Sequence, residues 1–366
     1  MIKVILTNEM LIKISAIDEN RFFLNTLQLP SVTRNRLRKN SKKKSSYASN
    51  KIEGNPLTEQ QVSDAIESDP HRHFLKPEQE VRNYFLALNL LEDKKNQKVK
   101  FSKELVLEVQ ALVEMGASKE KIGLRQAMPP GVVFAVYDSA SGLPEYIPPE
   151  YTDIPELLDE LVEYVNNTDD HPLIIAAVVH YQLVTIHPFE DGNGRTARLL
   201  SGYLLDCYGY GFHGIGSLEE YFAYDPEEYY ASLQMGLPAL YYSGRDNPPN
   251  PEIWILYFLK MVELYSGKVC EISRSSEKNG LAESVSYLNT KEKELLKFLI
   301  QKHLYEFTPI AVSKMIGVTN KTIINRCSKL SYNGFLVPVI VKKRIRSWRL
   351  SDFTRSNEQK ILKLLL

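Results

Sequence analysis

Residues 186–200, IHPFEDGNGRTARLL, constrain this chain more than any other stretch. A histidine, an aspartate, a Gly-Asn-Gly turn and two arginines follow one another between two segments of helical pattern. Ahead of the run, residues 171–186 are apolar almost throughout, and Pro172 stands where a first-turn proline is favoured. Behind it, residues 195–208 put Leu199, Leu200, Tyr203 and Leu204 on one side of a second helix. The run is therefore a loop between two helices, feeding into a helix N-terminus.

That placement has chemical consequences. Gly192 and Gly194 let the backbone turn sharply and bring bare N–H groups close to a ligand. The helix start adds unsatisfied donors and the positive end of a dipole, which makes an anion cradle. Arg195 and Arg198 lie three apart and can both meet phosphate oxygens. Asp191 is a hard oxygen ligand of the kind that shares Mg²⁺ with substrate phosphates. His187 has the side chain whose ordinary pKa suits proton abstraction near neutrality. Taken singly, a glycine turn, a histidine or an arginine pair is usually structural or solvated. Jointly they describe phosphate chemistry on a nucleotide.

In this order, HPFEDGNGR with Arg198 resembles the signature of the Fic family, His-x-Phe-x-Asp/Glu-Gly-Asn-Gly-Arg-x-x-Arg, with every fixed position filled. A helix–loop–helix setting also argues against a P-loop or dinucleotide fingerprint, which needs a strand before the glycines. The resemblance implies a mainly α fold, a Fic helical core with a β-hairpin flap, to which the C-terminal pattern described below adds a winged helix domain. It implies a protein adenylyltransferase that moves AMP from ATP, with Mg²⁺, to a Ser, Thr or Tyr hydroxyl of a protein target. His187 would be the catalytic base and Asp191 the metal ligand. Gly192, Asn193, Gly194, Arg195, Thr196, Ala197, Arg198 and Tyr230 would bind the nucleotide. Family members often show Asn-Arg-x-x-Tyr-Tyr where this chain has Asp225, Pro226, Tyr229 and Tyr230, so the base contact departs from the pattern.

Upstream, residues 45–55 read SSYASNKIEGN. Ser49 and Glu53 are four apart and share one side of a helix that Gly54 ends, with Pro56 just beyond. Thr58 and Gln61 then make a capping box for the next helix. From the residues alone this is a short helix ending in an exposed carboxylate. Ser-x-x-x-Glu-Gly is similar to the inhibitory-helix motif of Fic proteins, and the resemblance implies that Glu53 pairs with Arg198 and restrains the site. A carboxylate is the natural stand-in for a phosphate opposite a guanidinium.

The rest of the chain gives organisation. Residues 33–44 are basic without an acid and read as a solvated helix face or loop. Residues 71–96 and 101–115 have helical spacing. Alternation at Val132, Phe134 and Val136, a turn at 138–142 and an extended 143–149 predict a β-hairpin. In Fic proteins the matching hairpin is the flap that aligns a target by strand addition. Residues 151–166 and 251–265 predict two further core helices, and 267–289 a helix end plus connector. A small domain follows: helices over 290–303, 308–316 and 320–332, then two β-rich halves over 337–350. This resembles a winged helix-turn-helix. Residues 320–349 carry eight Lys or Arg and no acid, which suits a phosphate-facing surface such as duplex DNA. Winged helices also serve as protein-docking or dimer modules, so a homodimer stands beside DNA as a partner. The expected domains are 1–75, with the inhibitory helix near 45–54, then 76–275 and 285–366.

Composition excludes little more. Lys+Arg and Asp+Glu are both 45, so overall charge names no partner. Cys207, Cys270 and Cys327 lie far apart, without metal or disulfide spacing. No secretory layout opens the chain and no run is long and apolar enough for a membrane, so a cytoplasmic location is expected. The same residues would serve removal of AMP, with Glu53 positioning a water. A nucleotide-sensing transcription regulator would not need the histidine base. A phosphorylating relative usually has Lys where Gly194 stands. Self-modification is compatible with the site, and the target protein is not encoded in these motifs.

Overall fold

A computed structural model describes residues 2–27, 29–118, 121–137, 142–235, 248, 250–341 and 344–365. The chain divides into two units: Met1–Arg21 with Asn40–Lys268, and Phe22–Lys39 with Val269–Leu366.

The first unit is built around two helices, α7 (Pro172–Ile186) and α8 (Asn193–Cys207), which form its most extensive helix pair. Nearly every residue of α7 is buried, as an apolar surface on all sides demands. His171 caps its start, its Nδ1 accepting from Leu173 N–H at 3.3 Å. Around this pair lie α3 (Glu59–Glu67), α4 (Lys76–Asn96), α5 (Lys103–Glu114), α6 (Ile154–Asn167), α9 (Glu219–Tyr224) and α10 (Pro226–Gln234). The first half of α11 (Pro251–Ser286) closes the core: Trp254 is fully buried and donates from Nε1 to Ala177 O at 2.8 Å. Helices α1 (Asn8–Thr26) and α2 (Ser31–Ile52) belong to this unit in part, and α2 ends one residue before Glu53.

The hairpin consists of β1 (Val136–Tyr137) and β2 (Pro144–Tyr146), antiparallel, pairing Val136 with Tyr146 and Tyr137 with Pro144 across an irregular register. Its expected turn lies mostly at 138–141, outside the described residues.

In the second unit, α12 (Thr290–Gln301), α13 (Pro309–Ile316) and α14 (Asn320–Tyr332) precede β4 (Leu336–Val341) and β5 (Arg344–Leu350). A short β3 (Glu306–Phe307) adds to the sheet, whose order is β3-β5-β4, and α15 (Asp352–Ser356) and α16 (Glu358–Leu364) follow. Leu296, Leu299, Val312, Ile323, Cys327, Phe335, Trp348 and Leu350 form its core. Gly317, at φ 75°, turns the chain between α13 and α14, and Thr319 caps α14. Lys342 and Lys343 lie outside the described residues.

Several expectations change. Residues 33–44 are a helix, largely solvent-facing as expected, and not a loop. They lie in α2, and Lys42, Lys43 and Lys44 pair with Glu92, Glu67 and Glu220. Residues 267–286 continue α11 without a break, because a glycine with open space around its Cα is tolerated inside a helix anchored by buried residues such as Val269, Cys270 and Val285. The division between the two units falls after Lys268, within α11. Helix α4 starts at Lys76, five residues later than expected, since Pro77 suits a first turn. Asp225 ends α9 and caps α10 through its carboxylate.

Candidate active site

The loop between α7 and α8 is shaped by its own backbone. His187 ends α7 in the left-handed region (φ 49°, ψ 58°), a conformation that L-residues other than Gly, Asn and Asp adopt only at a cost. Gly192, at φ 83°, is the N-cap of α8 and offers no side chain to the helix start. The leading N–H groups of α8 are thereby left for an external acceptor. Asn193 staples the loop: its Oδ1 accepts from Phe189 N–H at 3.0 Å and its Nδ2 donates to Phe189 O at 2.8 Å.

A second segment braces this loop. Arg125 donates from its backbone to Pro188 O and from Nε to His187 O, both at 2.9 Å, and from Nη2 to Pro149 O. Leu124 bridges to Phe189 in antiparallel fashion. Buried Gln110 links Lys121 O, Gly123 N–H and Asp191 O.

His187 is oriented by a bond from Nδ1 to Val184 O, 3.2 Å away. A carbonyl can only accept, so Nδ1 carries the proton and Nε2 is left with its lone pair. Burial, aided by the Arg125 charge, pushes the imidazole down to about 4 against the smaller opposite pulls of Val184 O, Glu53 and Asp191. The ring is therefore neutral, and basic at Nε2, near pH 7.

Charges alternate across the site. Asp191 accepts from Lys121 Nζ (3.0 Å), Arg195 Nη2 (3.1 Å) and Gly192 N–H (2.8 Å). Burial raises its carboxyl, but these three partners outweigh burial and hold it below the ordinary range. Arg195, 4% exposed, also donates from Nη2 to Glu114 Oε1 at 2.8 Å. Arg198, with 1% of its side chain exposed, donates from Nη2 to Glu53 Oε1 (2.5 Å) and Ser49 O (3.1 Å), and from Nε to Ser49 Oγ (2.8 Å). Burial opposes that guanidinium's charge, yet Glu53 and the surrounding tyrosines hold its pKa above the ordinary value.

The predicted residues divide clearly. His187, Asp191, Gly192, Asn193, Gly194, Arg195 and Arg198 lie together at this loop, and Ser49 and Glu53 reach them from α2 and the turn after it. Thr196 and Ala197 are 1% and 0% exposed and sit in the helix interior. Tyr230 is 47% exposed, with its hydroxyl 3.5 Å from Ile52 O. Its buried neighbour Tyr229 is the one that meets Arg198 Nη1, also at 3.5 Å, and it contacts His180 Nε2 at 2.8 Å. The sequence reading did not find Glu114, Lys121, Gln110, Arg125 or Tyr229. Only Tyr229 had a local signal, its place on the buried period of α10. Among the described residues no three or more His, Cys, Asp or Glu are grouped so as to hold a metal ion by themselves. Asp191 nevertheless fits a cation that takes one carboxylate and completes its shell with phosphates and water.

Comparison with known proteins agrees with this geometry. Residues 100–205 match the model of the Fic/DOC family. Proteins called protein adenylyltransferase Fic from Aedes aegypti and Drosophila melanogaster are 44% and 46% identical to the chain over 68 residues. That segment is 18% of this chain and only 14% of either relative's length. The fold is similar to the crystal structure of a Fic family protein from Desulfovibrio desulfuricans, with a TM-score of 0.61, 20% identity and coverage of 96% of this chain and 98% of the other. It is also similar to Fic-1 from C. elegans, with a TM-score of 0.57, 24% identity and coverage of 74% and 73%.

Proposed function

From a chain whose residues 100–205 are a Fic/DOC-family domain, we propose a protein adenylyltransferase that carries AMP from ATP to a protein hydroxyl and is restrained by Glu53. The observation that carries the reading is the joint presence of a neutral, oriented His187 and an uncapped helix start flanked by Arg195 and Arg198. His187 Nε2 takes the proton from a Ser, Thr or Tyr hydroxyl. The hydroxyl oxygen forms a bond to the α-phosphorus as the bond to the β-phosphate oxygen breaks, and pyrophosphate leaves. Arg195 and Arg198 offset the charge on the departing phosphates, and the N–H groups at the start of α8 hold the phosphates in line. Asp191 would hold Mg²⁺, which supplies charge neutralisation at the phosphates.

Glu53 supports the restraint because its carboxylate occupies the Arg198 guanidinium that a terminal phosphate needs. Its side chain is 34% exposed, so it can leave without burying or stranding a charge of its own. Intact-mass spectrometry of wild type, Glu53→Gly and Glu53→Gly/His187→Ala after incubation with MgATP tests the scheme. The expected result is a gain of an AMP mass in Glu53→Gly, weak in wild type and absent in the double variant. A gain of a single phosphate would replace the reading with phosphorylation.

For the second unit we propose weak, salt-sensitive contact with duplex DNA. Lys321, Asn325 and Lys329 are exposed on α14, and Arg344, Arg346 and Arg349 on β5, which supports a phosphate-facing surface. Binding of the whole protein to a DNA duplex that stays constant as salt rises would overturn this.

A further inference from the structure

Three cations and three carboxylates meet at the nucleotide loop, and they are not equivalent. Glu53 is one-third exposed and follows the last turn of α2. Asp191 is 31% exposed, in the loop itself. Glu114 is different: its side chain is 1% exposed, and it is the last residue of α5. Buried Asn83 of α4 fixes that helix end by donating to Val113 O and Met115 O, each at 2.8 Å. Glu114 cannot swing to solvent as Glu53 can.

Its carboxylate also abuts the cradle. A Cβ on Gly192 would stand 2.8 Å from Glu114 Oε1, which is closer than real contacts allow. The same oxygen accepts from Arg195 Nη2, the nitrogen that also meets Asp191. Both acidic partners thus hold one corner of the guanidinium. Its Nε and Nη1 are buried and have no hydrogen-bond partner among the described residues. Buried guanidinium donors without an acceptor are costly and rare, and the oxygens of successive phosphates can meet them separately.

We propose that Glu114 is a positioning residue: by gripping Nη2 from a fixed, buried helix end, it holds Arg195 so that its unpaired Nε and Nη1 donors are kept for the phosphates of the nucleotide. This rests on the reading of residues 187–198 as a phosphate site. Glu53 is the carboxylate that must leave, and Glu114 the one that must stay. The role calls for an acceptor oxygen at this point and not for its negative charge, which taken alone would repel phosphate. Glutamine is therefore a functional replacement, and methionine, of similar size with no oxygen, is not.

The test is calorimetric binding of inorganic pyrophosphate to Glu53→Gly protein carrying Glu114→Gln, Glu114→Met, Arg195→Met or Glu114→Met/Arg195→Met. Glu114→Met should bind about tenfold or more weakly, the loss expected when a charged hydrogen-bonding group loses its fixed orientation, whereas Glu114→Gln should keep most of the affinity. In the absence of the Arg195 guanidinium the Glu114 substitution should have no further effect. If Glu114→Met does not fold, Glu114→Leu, also without an oxygen, takes its place. Unchanged or tighter pyrophosphate binding by the oxygen-less variant overturns the inference alone, and so does an equal loss with and without Arg195. No pyrophosphate binding in the Glu53→Gly parent overturns the phosphate-site reading, and this inference with it.

Discussion

Arg198 and Glu53 are 145 residues apart in sequence and 2.5 Å apart in space. The guanidinium is almost wholly buried, while the carboxylate keeps a third of its surface in water. Such a pair is asymmetric. Removing the arginine leaves a carboxylate that water can solvate, but removing the carboxylate leaves a buried cation that seeks another anion. The site without Glu53 is thus set up to bind phosphate.

A first prediction concerns that asymmetry. Glu53→Gln keeps the shape of the contact and removes its charge, so it should release the site less completely than Glu53→Gly. ATP affinity measured by calorimetry should rank Glu53→Gly first, Glu53→Gln second and wild type last. Equal affinity in all three would show that the ion pair does not compete with nucleotide.

Acid should have little effect on the chemistry until well below neutrality. Because burial holds the His187 imidazole at about 4, its base form persists where an ordinary histidine would already be protonated. Transfer by Glu53→Gly protein should stay level from about pH 8 down to about pH 5.5, whereas an unperturbed imidazole would halve the rate near pH 6.5. A half-maximal rate near that ordinary value would contradict the burial argument.

Stability should respond to pH in the opposite range. His187 and fully buried His180 both have depressed pKa values when folded, through burial first and then through neighbouring arginines. The unfolded chain therefore takes up protons before the folded one as pH falls below about 6.5. The melting temperature should be level above that point and fall as pH drops toward 4. Thermal melts across this range check the sign.

Tyr229 bridges the buried His180 ring and Arg198. Tyr229→Phe removes that hydroxyl without changing the packed ring, leaving His180 Nε2 unpaired in the core. The expected cost is about 1–3 kcal/mol, or a few degrees in melting temperature. A variant as stable as wild type would mean that water replaces the hydroxyl.

Gly192 faces two obstacles to replacement. Its φ of 83° disfavours any side chain, and the contact of an added Cβ is with Glu114, which is buried and fixed. Gly192→Ala should lower stability by more than about 1 kcal/mol and abolish transfer even in the Glu53→Gly background. Retained activity would imply that the α5 end can shift.

Much of this protein is set by local sequence. The HPFEDGNGR run carries its own turn, histidine and helix start, because left-handed glycine, a staple asparagine and an apolar helix on either side act over a few residues. The Thr58–Gln61 box was legible for the same reason, and it forms as expected. The resemblance to the Fic signature followed from residue order alone. Other features depend on contacts distant in sequence. Nothing local distinguishes Glu114 from any acid at a helix end, and the period that buries Tyr229 does not say that it meets Arg198. The length of α11 was hidden for a related reason: its glycine and serine residues look like a connector until the residues that bury its other face are known. Sequence determined the reactive loop because turn and cap energetics are local. Tertiary structure decided which carboxylate holds which arginine, because burial and ion pairing depend on what packs alongside.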